Sequence, residues 1–559
     1  MRTTRFVHSS LGRFLKFFKL LIMEEKEDLW ILVIYGIWVG ICSLVVPIAV
    51  QTFVNTIGFG LLIQPIIVLT FIVFTFLTFS GAMRALQVSV AEILQQRLFS
   101  KIAMEMAMRI PRLDSKIFRE NQGPELVNRF FDVTVIQKTT TLLILDGAVV
   151  VLQIIFGMLL LAFYHPFLLA LNLIIIIFVS VFFVRLGNRA IESNIQESKS
   201  KHSVAVWLQE LAKNYESFRS TQSRNFALKK ADLLTTEYIV SAKNHFTYLF
   251  KQVVAAIVLQ IAASVLLLGL GGWLVTQGQL TLGQLVASEL IVSSVVSGIG
   301  KFGKYLESYY DLAGALDKIG YIFELPLERL GGESVSERSS EFPLIRVRDL
   351  QIFGQHESRQ SPLNFDLSLG SKTAIVGLGG SGKTRFIRLL YGLEKPQAGR
   401  IEIEGLDYQY ASLESIRSKV FYVSEIQLFD GTLLDNIRLS QSKAGIDIYE
   451  IQNVLRELGL EEPISALPQG LHTVISGGQY PLSTTQAQKI MIARAIVAKP
   501  KLILFDDIFD HLDPQSDPSW ANFLIRKNNE FSVLFTSRKK EQIHFCDQVI
   551  LLDGYRYPD

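Results

Sequence analysis

The sequence predicts a membrane α-helical bundle of six transmembrane helices with long cytoplasmic extensions, followed by an α/β domain. Three observations carry this. The 559 residues are 49% hydrophobic and 19% charged with a net charge of +3, values close to a globular average, yet the charges are segregated. Leu29 to Met83, Gly147 to Val184 and Gln252 to Ser288 contain no Lys, Arg, Asp or Glu, while the rest of the chain holds about 25% charged residues, the usual share for a soluble protein. Beyond Leu344, short β-type runs alternate with helical ones. A purely soluble enzyme and a pure membrane bundle are both excluded.

In chain order, residues 1–28 form an amphipathic cytoplasmic segment. Its Arg2, Arg5, Arg13, Lys16, Lys19 and Lys26 are interleaved with Phe6, Phe14, Phe17 and Phe18, a pattern suited to lying on the anionic lipid of a bilayer. The apolar run that starts at Leu29 is far longer than the roughly 7–15 residues of a cleaved signal. A crossing needs roughly 20 apolar residues, so each charge-free stretch holds two. The spans fall near Leu29 to Phe53, Leu61 to Met83, Thr140 to Tyr164, Phe167 to Arg185, Phe250 to Val275 and Leu280 to Tyr305. The turns inside each pair lack Lys and Arg, which by the positive-inside bias puts both termini in the cytoplasm of a multi-pass plasma-membrane protein, in a bacterium the inner membrane.

The polar inserts Arg84 to Lys138 and Arg185 to Lys251 then also lie in the cytoplasm, and their apolar periodicity reads as helices continuing the spans inward. Cys42 and Cys546 offer neither a disulfide framework nor metal spacing. The membrane domain covers 29–325, a polar Gly/Ser/Glu linker covers 326–343, and the second domain covers 344–559. In that domain KTAIVG, FYVSE, LILFDD, VLFTS and VILLDG are strand-like runs between helical ones, the mark of a parallel sheet with helices on its faces.

The sharpest chemical signal is GLGGSGKT, Gly377 to Thr384, between an apolar strand and the helix FIRLLYG. Gly377, Gly379, Gly380 and Gly382, with Ser381, let backbone N–H groups converge on phosphate oxygens. Lys383 reaches the β- and γ-phosphates and the Thr384 hydroxyl ligates Mg²⁺. The strand KLILFDD places Asp506 at the metal and Asp507 near an attacking water. The second domain therefore reads as an α/β P-loop NTPase domain that binds a nucleotide with Mg²⁺.

With these residues the chain resembles the ATP-binding cassette (ABC) transporters, specifically half-size exporters. The resemblance includes GQLTLGQLVA at Gly278 to Ala287, PELVNRFFDV at Pro124 to Val133 and LFDGTLLDNI at Leu428 to Ile437. It implies coupling helices near Asp114 to Gln122 and Asn214 to Thr221, and a dimer with two ATP molecules sandwiched between facing domains. The family's LSGGQ signature falls at Leu482 to Gln486, here LSTTQ. Ser483 and Gln486 are retained, to contact the ATP held by the opposite subunit, but Thr484 and Thr485 put β-branched bulk where glycines allow close approach. ISGGQ at Ile475 to Gln479 lies too early to be that signature.

On the ATP-holding side, Glu425 stands for the usual glutamine as metal sensor, Asp507 for the general-base glutamate and Ser537 for the switch histidine. Aspartate is one methylene, about 1.5 Å, shorter than glutamate, and a misplacement of about 1 Å can cost on the order of 10²-fold in rate. Gly354 occupies the place of the adenine-stacking aromatic, with Phe353 adjacent as the candidate. Slow ATP hydrolysis is expected. Two assemblies stay open: a homodimeric exporter, and a heterodimer in which this chain holds ATP for a second half-transporter, with a periplasmic adaptor if the cargo is a secreted protein. A non-transporting ATP-gated membrane regulator is a third reading. Nucleic-acid binding has no support from the small net charge.

Glu289 falls near mid-bilayer in the sixth span, and Ser293, Ser297 and Lys301 repeat at its i+4 spacings. A carboxylate there marks a substrate pathway, or else a hydrogen bond that holds the bundle together. Asp146, close to the inner interface, is expected to carry little. Nothing in the chain distinguishes a lipid, drug, peptide or protein cargo.

Overall fold

A computed structural model describes residues 25–58, 63–120, 123–335, 342–352, 362–439, 447–476, 481–508, 531–537, 543 and 546–552. Most of the basic N-terminal segment, and Phe353, lie outside them. The chain divides into two compact units, Met1–Pro326 and Leu327–Asp559.

The first unit is all helix. Its elements are α1 (Lys26–Cys42), α2 (Val45–Gly58), α3 (Ile63–Arg109), α4 (Ser115–Glu120), α5 (Gly123–Asn128), α6 (Asp132–Leu142), α7 (Ala148–Tyr164), α8 (Pro166–Lys213), α9 (Thr221–Thr276) and α10 (Leu282–Glu324). Among the described residues four helical stretches, Lys26–Ile57, Ile63–Arg112, Leu126–Tyr164 and Thr221–Thr276, are long and apolar enough to cross a bilayer, and Leu282–Val295 is a shorter apolar helix. At 1.5 Å per residue α9 is about 84 Å long against a hydrocarbon core of about 30 Å. Most of its length therefore stands outside the membrane, as the charged half of its sequence requires.

Local sequence sets the helix ends. The Thr281 side chain and Gln284 form a reciprocal capping box at the start of α10, Ser220 caps α9 through the Ser223 N–H, and Pro166 opens α8, where a missing N–H costs nothing. The first span is not one unbroken helix: α1 stops at Cys42 and α2 resumes at Val45. Pro47 has no N–H to offer the Ser43 carbonyl one turn back, which breaks the ladder there. In the third span a π-helical turn, Leu143–Gly147, joins α6 to α7. Two short helical turns, α4 and Tyr215–Phe218, fall where the coupling helices were expected.

The bundle's interior is an apolar cluster around Leu32, Leu94, Leu98, Ile102, Val133, Ile136, Leu316 and Ile319, while Trp30, Phe71, Phe74 and Phe163 stand well exposed on the outside. Exposed aromatic surface of that extent suits hydrocarbon and not water. Gly157 lies where a Cβ would come within 2.8 Å of the Ile291 side chain, the close helix approach that small residues allow in membranes.

In the second unit a parallel five-stranded sheet has the order β11-β3-β10-β9-β6. Its strands are β3 (Lys372–Val376), β6 (Val420–Val423), β9 (Leu502–Phe505), β10 (Ser532–Thr536) and β11 (Gln548–Leu551). Alternate residues feed two separate cores: Ala374, Ile503, Phe505, Val533 and Phe535 pack on one face, and Ile375, Leu502, Leu504 and Leu534 on the other. That is the period-two pattern of strands buried on both sides. An antiparallel sheet, β2-β1-β4-β5, is built from β1 (Ile345–Leu350), β2 (Leu363–Leu367), β4 (Arg400–Ile403) and β5 (Leu406–Asp407). A two-stranded ribbon pairs β7 (Gly431–Thr432) with β8 (Val474–Ile475). The helices are α11 (Lys383–Leu390), α12 (Leu413–Lys419), α13 (Leu433–Arg438), α14 (Ile448–Glu457), α15 (Glu461–Ser465) and α16 (Thr484–Val497).

The first part of the stretch read as a polar linker does not hang free. Arg329 donates to the backbone carbonyls of Tyr408, Gln409 and Ala411, the Glu333 N–H donates to the Tyr410 carbonyl at 2.7 Å, and Val335 is buried in the second unit's core.

Candidate functional site

Four parallel strands of the second unit, adjacent in the order β3-β10-β9-β6, end on one edge of the sheet. The turns that follow them carry, respectively, Gly377 to Thr384, Ser537, Asp506 with Asp507, and Glu425. Ligands of open parallel sheets sit outside such carboxyl ends, so the topology alone gathers residues far apart in sequence.

The loop after β3 is shaped by its glycines. Gly382 sits at φ +91° as the residue before α11, and a Cβ at Gly377 would lie 2.5 Å from the Ser381 hydroxyl oxygen and 3.1 Å from the Leu552 carbonyl oxygen. Only glycine fits both places. Lys383 is buried, and its ammonium donates to the carbonyls of Gly377 at 2.8 Å and Leu378 at 3.0 Å. It thus arches over the loop, its charge held where phosphate oxygens would lie.

Beside it, the Thr384 hydroxyl donates to Asp506 Oδ1 at 3.1 Å and the Tyr422 hydroxyl to Asp506 Oδ2 at 3.2 Å. Burial pushes the Asp506 carboxyl above the ordinary aspartate range and the charge of Asp507 adds to that, while the hydrogen bonds from Thr384 and Tyr422 oppose it. A hydroxyl and a carboxylate side by side at the phosphate loop are hard oxygen donors of the kind Mg²⁺ accepts alongside phosphate and water. The residues present fit that ion.

Asp507 is exposed and adopts φ +55°, a left-handed conformation that costs a non-glycine residue. Thr536, fully buried at the end of β10, holds it there. The Asp507 N–H donates to the Thr536 hydroxyl oxygen at 2.7 Å, and that hydroxyl donates to Asp507 Oδ1 at 3.1 Å. Ser537, the next residue, is completely buried, its N–H bonded to the Ile375 carbonyl at 3.2 Å. Glu425 is exposed past the end of β6, and among the described residues no cluster of three His, Cys, Asp or Glu side chains able to hold a metal forms.

Ser483 and Gln486 are brought together. Ser483 is the residue before α16; its hydroxyl accepts from the Gln486 N–H at 3.2 Å and the Gln486 side chain accepts from the Ser483 N–H at 2.8 Å. This capping box leaves Ser483, Thr484 and Thr485 exposed at the helix start. Within α16 the buried Arg494 donates to the Gln427 carbonyl at 3.0 Å and to the Asn436 carbonyl at 2.6 Å. It ties the segment after Glu425 to α13 and to the helix that Ser483 opens. Burial lowers its guanidinium to about 10.

In the membrane unit Glu289 Oε1 accepts from the Ser264 hydroxyl at 3.3 Å, linking α10 to α9, and Glu289 Oε2 is buried with no partner. Ser293 is exposed; the side chains of Ser297 and Lys301 lie outside the described residues. Asp146, expected to carry little, is paired with Arg84 across the bundle, in the π-helical turn. The sequence reading overlooked Tyr422, Thr536 and Arg494. Each was signalled only by position, at or next to a strand end or inside an apolar helix.

The model of the ABC transporter transmembrane region matches residues 29–299, and the ABC transporter model matches residues 361–510. The ATP-dependent lipid A-core flippase of Francisella tularensis subsp. tularensis is 25% identical over 482 residues, 83% of this chain and 77% of that protein. The mycobactin import ATP-binding/permease protein IrtB of Mycolicibacterium thermoresistibile is 26% identical over 55% of this chain and 53% of its own length. The alpha-hemolysin translocation ATP-binding protein HlyB of Escherichia coli is 25% identical over 53% of this chain and 42% of its own length. The chain thus spans about half the length of some of the curated relatives it matches. Among solved structures, a bacterial Atm1-family ABC exporter with ATP bound superposes with a TM-score of 0.80 at 19% identity, over 95% of this chain and 94% of that one. This likeness is one of fold.

Proposed function

Because the chain belongs to the ABC transporters, with the family's transmembrane region and ATP-binding domain fused in one polypeptide as in half-size exporters, we propose that it is one half of a dimeric exporter driven by ATP. The carrying observation is the edge of the parallel sheet. There the Gly377 loop and Lys383, the Thr384 and Asp506 pair and the clamped Asp507 meet at the ends of adjacent strands.

Lys383, Gly379, Gly380 and Ser381 bind the phosphates in this reading, and Thr384 and Asp506 hold Mg²⁺, with Glu425 as its sensor. The ion would screen phosphate charge. Asp507 orients and deprotonates the attacking water. Ser483 and Gln486, at the exposed start of α16, meet the ATP held by the second half of the dimer, and Phe353 stacks on adenine. Closure of the ATP-bound dimer favours one orientation of the membrane cavity, since ATP binds the closed state far better than the open one. Glu289, Ser293 and Ser297 line the pathway; the unpartnered Glu289 Oε2 supports that, and the Ser264 bond supports the bundle-holding alternative equally. Both termini lie in the cytoplasm, as the lack of Lys and Arg in the turns within each pair of spans supports, and the membrane is the bacterial inner membrane, as the bacterial sources of the relatives support.

Hydrolysis is slow in this reading, since Asp507 is one methylene short and the buried Ser537 offers no imidazole. A second reading draws on the same features together with LSTTQ: the partner is a different half-transporter and this chain mainly holds ATP. A test is ATP turnover by the purified chain in lipid nanodiscs. Magnesium-dependent hydrolysis that Lys383→Ala lowers at least about 100-fold supports the self-sufficient dimer. ATP binding without turnover supports the holding partner, and no ATP binding at all removes both.

A further inference from the structure

The cytoplasmic halves of α8 and α9 flank an open polar cavity of about 570 Å³, lined among others by Arg189, Glu192, Ser193, Asn244, Tyr248 and Lys251. Its charge is lopsided, with two cations against one carboxylate. Among the described residues neither Arg189 nor Lys251 forms an ion pair. Lys251 has only the face of Tyr248, at 5.9 Å. Behind the wall, the Ser193 hydroxyl and His245 Nδ1 are 3.0 Å apart, and His245, 5% exposed, has an Nε2 with no partner. Two cations without counter-ions, in a pocket of hydroxyl and amide groups, call for an anion with oxygen acceptors.

The position of the cavity says what that anion is attached to. Lys251 is the last charge before the stretch Gln252 to Ser288, so the cavity lies where cytoplasm gives way to hydrocarbon. From Lys251 the same face of α9 continues at i+3 and i+4 spacing through Val254, Val258, Ile261 and Val265, and these are 41%, 60%, 60% and 65% exposed. That apolar stripe runs about 21 Å up the helix at 1.5 Å per residue, more than the roughly 15 Å depth of one leaflet's hydrocarbon. A polar cationic pocket at its foot and an open apolar track above it match the two ends of one amphiphile.

We propose that this cavity is a binding site for an anionic phospholipid of the inner leaflet. Arg189 and Lys251 hold the phosphate, Ser193 and Asn244 hydrogen-bond the head group, Glu192 accepts from a head-group hydroxyl, and an acyl chain lies along Val254 to Val265. Basic pockets between membrane helices on the cytoplasmic side are where acidic head groups bind. The inference concerns binding alone and holds whatever cargo the transporter moves.

The test is native mass spectrometry of the full chain in detergent, titrated with dioleoyl phosphatidylglycerol, dioleoyl phosphatidylcholine or inorganic phosphate. Expected is retention of phosphatidylglycerol in clear preference to phosphatidylcholine. The Arg189→Ala/Lys251→Ala double variant should weaken it about 10-fold or more, and Arg189→Lys/Lys251→Arg should keep it. Val258→Ser/Ile261→Ser should weaken the lipid by a smaller factor. Binding of a fluorescent ATP analogue, unchanged in each variant, shows that the chain is folded. Equal affinity of the wild type and the double alanine variant overturns the proposal. Should that variant not fold, equal retention of the two lipids by the wild type overturns it. Displacement of phosphatidylglycerol by an equal concentration of inorganic phosphate also overturns it, because the acyl track would then contribute nothing.

Discussion

Asp507 sits at φ +55° with its N–H and one carboxylate oxygen both tied to the Thr536 hydroxyl. A residue in that conformation costs of order 1–3 kcal/mol and persists only where neighbours hold it. If Asp507 orients the attacking water, as proposed above, Thr536 is its positioning residue. Thr536→Val keeps the shape and removes both bonds. We expect kcat for ATP hydrolysis to fall about 10-fold or more with KM unmoved, and Thr536→Ser to restore it. A variant whose KM rises while kcat holds would show that Thr536 acts on nucleotide binding instead. None of this is visible in the run VLFTS, where Ser537 stands at the switch-histidine position and Thr536 reads as an ordinary β-branched strand residue. The clamp depends on strands β9 and β10 being neighbours, and only the folded sheet makes them so. The phosphate loop, by contrast, was legible residue by residue, because its chemistry is local.

Between elements, the buried Glu404 in the β4–β5 turn bonds Lys419 at the end of α12 and Lys501 at 2.7 Å just before β9, joining the antiparallel sheet to the parallel one. Burial pushes the Glu404 carboxyl up, but hydrogen bonds and charge from Lys419 and Lys501 outweigh that and hold it below its ordinary range. A carboxyl lowered on folding stabilises the fold above its unfolded-state value, and that stabilisation is lost as pH falls through the folded-state value. Glu404→Gln should cost about 2 kcal/mol at neutral pH, read as lost hydrogen-exchange protection in β4 and β9. The difference from wild type should close as acid protonates the native glutamate. A difference that persists in acid would place the effect in packing. The run LILFDD marks β9 in the sequence, whereas β4 carries no such mark, and the bridge spans residues 404, 419 and 501, a separation no local pattern encodes. The π-helical turn at Leu143–Gly147 and its Arg84–Asp146 pair were hidden likewise, since they need two helices packed together. The break before Pro47 is signalled by the proline itself, but hydropathy alone reads through it.

Over the whole chain, the charge-free stretches located the helical hairpins because exclusion of charge from hydrocarbon is a strong, local rule. Helix ends such as Tyr164 and Thr276 fall within a few residues of the turns read from sequence. Less legible was what the polar halves of α8 and α9 do. Their sequence reads as solvated helix, and only the packed pair shows a cavity with two cations lacking counter-ions. The proposal that joins the two units is that ATP binding at the sheet edge closes the dimer and so moves the membrane helices. The most direct test is the distance between spin labels on the two ATP-binding domains of the reconstituted dimer, with and without Mg·ATP. The distance should shorten with Mg·ATP in the wild type and stay long in Lys383→Ala. A wild-type distance that does not change on saturation with Mg·ATP would contradict it.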